Sequence, residues 1–320
     1  MVITITLNPL VDRNYNVDKL IPGQNLRLTS TENIIGGKGI NVSRLVRSFG
    51  GKTLALSFIG GHIGSELVDL FKTEGIPSIL VRTKASTRIQ VSLLDINNNK
   101  PTFFIGPNEG VSQQELDTLK FELTNVLSNK TEKHVLVISG SAPAGDMDNS
   151  IHEIINIANK FNILTILDSY GKAFKLGLTE KPFMAKQNRK EAETYYRKPL
   201  IRQDNILDYL RRMVENGIKF PIITSGKDWV YAGYENKYWK LIPTKVKVVN
   251  PTGSGDAMVG SLALDLLSLN PDNLSINQIE KMLIKSVAVG TANAMVWLPC
   301  DIAPKMVDTL IPKVKIYRIR

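Results

Sequence analysis

From residue 110 onward, short unbroken apolar runs alternate with stretches of helical spacing, and this rhythm leaves few folds open. Val135 to Ile138 and Ile163 to Leu167 are continuous apolar runs, the mark of strands buried on both faces. The second ends in Asp168. Pro221 to Thr224 reads as another strand. Between these runs Ile151, Ile154, Ile155 and Ala158 share one helical face. Ser112-x-x-Glu115 and Ser275-x-x-Gln278 each open a helix with a capping-box pattern, the first carrying Leu116, Leu119 and Leu123. Asp204 is placed to cap a helix through Leu207, Leu210 and Val214, which Gly217 stops. Strands alternating with helices predict an α/β chain with a mainly parallel sheet covered on both faces, hence three layers. At 320 residues the chain buries enough surface to need no staples, and a single domain is expected over 1–320.

Two stretches break the rhythm. Residues 12–35 and 86–105 alternate apolar and polar at period two, with Asn97-Asn98-Asn99 as a turn in the second. They predict antiparallel strands of a small sheet, inserted near the carboxyl ends of the main strands, where a lid would sit.

Composition removes several classes of function. Cys300 is the only cysteine and His62, His134 and His152 are isolated, so a cysteine-rich metal site or a zinc hydrolase is not expected. No run of eighteen apolar residues exists, and the amino-terminal residues alternate like a strand rather than a signal peptide. A cytoplasmic protein without a membrane partner is expected. Forty Lys and Arg against 30 Asp and Glu give a net charge of +10. The densest basic stretch, 313–320, alternates with apolar residues as an edge strand does, and the other cations form no stripe for a nucleic-acid backbone.

Two glycine clusters carry the chemistry. Gly36-Gly37-Lys38-Gly39-Ile40-Asn41 ends a strand and opens a helix, which suits either a tight turn or the close approach of an anionic ligand. Gly51-Lys52-Thr53 lacks the earlier glycine of a P-loop. The second cluster, Asn250-Pro251-Thr252-Gly253-Ser254-Gly255-Asp256, follows an expected strand from Lys245 to Val249 and opens an apolar helix. Amides of Gly253, Ser254 and Gly255 would converge at the positive end of that helix. Asp256 is then poised as a general base for a hydroxyl attacking a phosphoryl group; the plain alternative is a helix cap.

At these clusters the chain resembles the ribokinase-like (PfkB) carbohydrate kinases over nearly its whole length. Thr6-Leu7-Asn8-Pro9, the string Gly36 to Arg44, Thr87-Arg88-Ile89 and Ser139-Gly140-Ser141-Ala142-Pro143 resemble the branch of 1-phosphofructokinases and tagatose-6-phosphate kinases. The resemblance implies a ribokinase-like fold with a β-sheet lid, ATP and Mg²⁺ as cosubstrates, and a homodimer through the lids. It implies that Asp256 is the catalytic base and Gly253, Ser254 and Gly255 the anion hole. Asp12, Gly37 and Asn41 match positions that hold sugar hydroxyls. Arg27, Lys38, Arg88 and Ser139 match those that hold a phosphate already on the sugar. Asn188 and Glu191 match the pair that organises Mg²⁺ and the ATP phosphates, and Thr224, Ser225 and Gly226 flank the nucleotide. Fructose 1-phosphate is the first expected acceptor, with tagatose 6-phosphate or fructose 6-phosphate as the rival. A nucleic-acid-binding or regulatory protein on a kinase fold is the alternative of another class. The chain departs from the branch at Gln187, where proline is usual, at Trp229 in place of glycine, and at Trp297 to Asp301 in place of a Ser/Gly-rich turn.

Overall fold

Val135 and Val137 fall in one apolar core, Leu136 and Ile138 in another. Successive side chains of a strand leave on opposite faces, so a sheet built of such strands must be covered twice. The structure is a computed structural model that describes residues 1–98, 100–129, 131–145 and 147–319, the side chains of Lys100 and Asp272 aside. In chain order come β1 (Val2–Thr6), β2 (Leu10–Val17), β3 (Ser30–Gly36), α1 (Lys38–Ser48), β4 (Thr53–Gly60), α2 (Gly61–Thr73), β5 (Ser78–Thr83), β6 (Arg88–Asp95) and β7 (Lys100–Ile105). Next are α3 (Gln113–Ser128), β8 (Val135–Ser139), α4 (Ser150–Lys160), β9 (Leu164–Asp168), α5 (Gly171–Leu178), β10 (Met184–Asn188), α6 (Arg189–Tyr196) and α7 (Gln203–Glu215). The chain ends with β11 (Phe220–Ser225), β12 (Trp229–Tyr234), β13 (Lys237–Ile242), α8 (Ser254–Ser268), α9 (Ile276–Asn293), α10 (Pro304–Leu310) and β14 (Lys315–Ile319).

The main sheet has ten strands in the order β14-β13-β12-β11-β10-β9-β8-β1-β4-β5. Pairing is parallel from β5 to β11 and antiparallel beyond. Helices α1, α8 and α9 supply the core on one face, and α3, α4, α5 and α7 the core on the other. Strand β1 lies between β4 and β8, where the order of the parallel strands reverses. Ligands of such sheets bind beyond the carboxyl ends of the strands at this reversal. No described helix is long and apolar enough to cross a membrane.

The period-two stretches form a separate four-stranded sheet, β3-β2-β6-β7. It is mixed rather than purely antiparallel: β2 runs antiparallel to β3 and β6 to β7, but β2 and β6 are parallel. Both inner strands leave the carboxyl edge of the main sheet, β2 soon after β1 and β6 soon after β5, so they run outward side by side. Asn97 and Asn98 stand in the turn after β6, and Asn99 lies outside the described residues.

Two local expectations shift, at Lys245 to Val249 and at Asp204, while the basic tail is the edge strand expected. Lys245 to Val249 is not a strand. The outer edge of β13 is taken by β14, and the amides of Val249 and Asn250 instead donate to the Ala294 carbonyl at the end of α9, at 2.7 and 3.3 Å. The helix expected to be capped by Asp204 starts two residues earlier, after Arg202. Asp204 stands in its first turn, where the helix dipole favours a carboxylate. The basic tail forms β14, and Arg318 pairs with Glu280 at 3.0 Å, while Arg320 lies outside the described residues.

Candidate active site

The carboxyl ends of β1, β8, β9, β10 and β11 converge with the starts of α1 and α8 around a cavity of about 460 Å³. Its lining includes Asp12, Gly37, Lys38, Asn41, Arg88, Asn188, Thr224, Gly226, Gly253, Ser254, Gly255 and Asp256. A cleft of about 530 Å³ lies elsewhere, between α5, α6 and α7, lined by Lys172, Lys175, Tyr195 and Tyr196 among others. Volume does not choose between them; the buried charges of the first do.

Gly253 precedes α8 with φ +79°, and a Cβ there would stand 2.8 Å from Pro299 Cβ, so the turn needs glycine twice over. The first bond of the helix runs from the Ala257 amide to the Gly253 carbonyl, 2.8 Å. The amides ahead of it have no partner within the helix. That of Ser254 turns to the Pro251 carbonyl at 3.3 Å, so the nest is narrower than three converging amides. The amides of Gly255 and Asp256 remain for an anion.

Asp256 does not cap α8: the cap position is Gly253 and no side chain bonds there. Its carboxylate is buried, 5 % exposed, and accepts a bond from Asn41 Nδ2 at 2.8 Å. Burial pushes its pKa up to about 6, with Asp168 adding to the rise, while Lys38, Asn41 and Lys186 oppose it. A carboxylate so placed can take a proton near neutral pH.

Lys38 follows Gly37, whose φ of +141° lets the chain turn from β3 into α1. Its Nζ lies 3.3 Å from Asp168 Oδ1 and 3.4 Å from Glu191 Oε1. Burial works against its charge, but Asp168, Glu191 and Asp256 outweigh that and raise its pKa. Lys38 is therefore a neutralised member of an acidic cluster, not a free cation in the acceptor half. Lys186 Nζ completes the cluster, 3.2 Å from Asp168 Oδ2, and a Cβ on Gly255 would stand 2.6 Å from it. Burial opposes the charge of Asp168, yet Lys186 and Lys38 hold its pKa below the ordinary value.

Asn188 caps α6: its Oδ1 accepts from the Glu191 amide at 3.0 Å, and Glu191 Oε2 accepts from the Asn188 amide at 2.8 Å. On the other side of the cavity, Asp12 accepts from Ser92 Oγ at 2.7 Å and Gln90 Nε2 at 3.1 Å; burial raises its pKa. Arg88 donates from Nη2 to the Asn8 carbonyl at 3.1 Å, and its buried Nε has no partner. No carboxylate pairs with Arg88 among the described residues, and burial lowers its pKa. A half-buried cation left without an anion marks a place for one.

Four expected residues stand away from the lining: Glu191, which reaches it through Lys38, and Arg27, Ser139 and Ser225. Arg27 is exposed in the connection from β2 to β3. Along β3 the chain first lines the cavity at Ile34, and Arg27, before the start of that strand, is not among the lining residues. Ser139 is buried with its Oγ unpartnered, and the lining falls to Gly140 and Ser141 after it. Ser225 is likewise outside the lining, between Thr224 and Gly226. Conversely, Asp168 and Lys186 belong to the cluster but were not singled out as site residues from the sequence. For Asp168 the available signal was its place at the carboxyl end of an apolar strand; Lys186, mid-strand in β10, offered none. At the departures, Gln187 Oε1 accepts from Tyr209 Oη at 2.9 Å, Trp229 packs edge-on against Tyr231, and Asn250 Nδ2 donates to the Trp297 carbonyl at 2.9 Å.

The architecture and this charge cluster define a ribokinase-like enzyme. Residues 1–300 match the model of the pfkB family carbohydrate kinases, and the chain belongs to that family. It is 31% identical over 301 residues to a tagatose-6-phosphate kinase of Staphylococcus epidermidis, covering 92% of each chain. It is 29% identical over 303 residues to a 1-phosphofructokinase of Borreliella burgdorferi, covering 94% of each. Among solved structures it is similar to phosphofructokinase-2 from Escherichia coli in complex with potassium, with a TM-score of 0.88, 26% identity and 98% of each chain covered.

Proposed function

We propose that this kinase transfers the γ-phosphoryl group of ATP to a hydroxyl of a ketohexose monophosphate, with fructose 1-phosphate as the first acceptor. The observation that carries the reading is Arg88, a half-buried guanidinium without a carboxylate, opening on the same cavity as the buried base Asp256. An uncharged sugar would leave Arg88 unpaired; a sugar phosphate satisfies it. Tagatose 6-phosphate is the second reading, which the relative at 31% identity favours.

In the reaction Asp256 takes the proton of the acceptor hydroxyl as its oxygen attacks the γ-phosphorus and the bond to the leaving ADP oxygen breaks. The amides of Gly255 and Asp256 face the charge that moves through the transferring group, at the positive end of α8. Asp12 and Asn41 orient the sugar hydroxyls, Arg88 holds the phosphate already present, and Lys186 and Lys38 offset most of the acidic cluster's charge beside the polyphosphate. Thr224 and Gly226 edge the nucleotide's place, and a Cβ on Gly226 would meet nothing within 4 Å. Among the described residues no group of three carboxylate, histidine or cysteine side chains could hold a metal. Mg²⁺ commonly binds through one or two carboxylates, phosphate oxygens and water. Asn188 and Glu191 would hold it, and when bound it would neutralise phosphate charge. Residues 12–35 and 86–105 act in this reading as a lid inserted into a single kinase domain, and a second copy pairs with it lid to lid.

The test is a coupled assay with fructose 1-phosphate, tagatose 6-phosphate, fructose 6-phosphate and free fructose, on the wild type and Arg88→Ala. The phosphorylated sugar should win in kcat/KM by several orders of magnitude. Arg88→Ala should cost roughly 2–4 kcal/mol with it and little with free fructose. Equal losses on both sugars would assign Arg88 to the sheet's structure instead of the phosphate.

A further inference from the structure

One fully buried cation plays no part in the mechanism above. Arg44, 2 % exposed, lies on α1 one turn after Asn41. Its Nη1 donates to Asn41 Oδ1 at 2.7 Å and to the Pro299 carbonyl at 3.1 Å. Its Nη2 donates to the Ile35 carbonyl at 2.9 Å. Glu74, at the end of α2, accepts from Nε at 2.7 Å and from Nη2 at 2.9 Å. The Glu74 Oε1 atom also lies 3.4 Å from the Ile35 amide.

A primary amide has two ends of opposite character, and either could face Asp256. A guanidinium only donates, so Arg44 forces the oxygen of Asn41 toward itself. The nitrogen must then face Asp256, where it donates at 2.8 Å. We propose that Arg44 is a positioning residue for the phosphoryl transfer: it fixes the orientation of the Asn41 amide and thereby the hydrogen bond to the catalytic carboxylate, and it ties that bond to the root of the small sheet through Ile35. Lysine could not replace it, because one ammonium cannot reach Asn41, Pro299 and Ile35 with the same fork. The inference rests on Asp256 being the base.

The consequence is readable in pH. The groups facing Asp256 are Asn41 and Lys38 from α1, Asp168 from β9, Lys186 from β10 and Cys300 from the segment after α9. Of these only Asn41 is held by Arg44. A carboxylate that loses a donor becomes harder to ionise. The base works deprotonated, so the acid limb of kcat should move to higher pH. In Arg44→Lys we expect a rise of about half to one pH unit, which lowers kcat at pH 7 by up to about twofold and more steeply near pH 6. Adding Arg44→Lys to Asn41→Leu should move the limb no further, since the bond is already gone. Glu74→Gln, which keeps the guanidinium but loosens its anchor, should shift the limb the same way by less, and serves if Arg44→Lys does not fold. An acid limb at the wild-type position in whichever variant folds, or a further shift on top of Asn41→Leu, would overturn the role. If Asp256→Asn kept normal turnover, the underlying assignment of the base would fail instead.

Discussion

In the proposed reaction Asp256 joins two properties that oppose each other: it is buried facing the transferring group, and burial disfavours the charge it needs. Its pKa of about 6 lies above the ordinary 3.8 for aspartate. The native state therefore binds this proton more tightly than the unfolded chain does. Its contribution to stability falls as pH rises from about 3.8 to about 6 and stays unfavourable above that. Catalysis runs the other way, since only the deprotonated form accepts a proton. We expect kcat to fall as pH drops through about 6. Asp256→Asn should then lower turnover about a thousandfold or more, yet melt at the same temperature or higher at pH 7. Turnover near normal would remove Asp256 from the mechanism, and a variant that fails to fold would give it a structural part. The residue stood out in the sequence because three small residues crowd before it at the start of an apolar helix, although the strand expected ahead of them did not form. Its partners were not: Asn41 is 215 positions away, and Asp168 looked only like the end of a strand. What joins them is strand order, which local spacing does not encode.

At the scale of elements, what a short window determines came through. Both Ser-x-x-Glu/Gln boxes cap their helices, Ser112 with Glu115 and Ser275 with Gln278, because the pattern and the bond lie within one turn. The parallel pairing of β2 with β6 did not, since it joins segments 78 residues apart. That small sheet has helical cover only near its root, where Val11 and Ile35 pack with Leu67 and Phe71 of α2. The first four residues of β3 are exposed. Amides there should exchange faster than those of β1, β8 and β9, which are buried on both faces. If the sheet closes over a sugar phosphate, exchange in β2, β3, β6 and β7 should slow on adding it, as mass spectrometry of peptic fragments would show. Equal protection that ignores ligand would count against a closing sheet.

The small sheet and its loops leave apolar side chains in solvent: Leu28, Ile96, Phe103, Phe104 and Ile105 are each more than 40 % exposed. Exposed apolar side chains of this size are commonly covered by a partner. In the proposed dimer these residues meet their copies, and the wild type should sediment at about twice its chain mass while Phe104→Asp sediments at half of that. A wild type that stays monomeric at micromolar concentration would remove the lid-to-lid pairing.

Met1 precedes the amino end of β1, and its ammonium donates to the Lys133 carbonyl just before β8, at 2.5 Å. The active cavity lies at the other end of these same strands. Anything joined ahead of Met1 thus leaves from the rear of the sheet. An enzyme tethered there to a bead or a scaffold would present its mouth to the solution, with the length of five residues of strand, about 17 Å, between the tether and the chemistry.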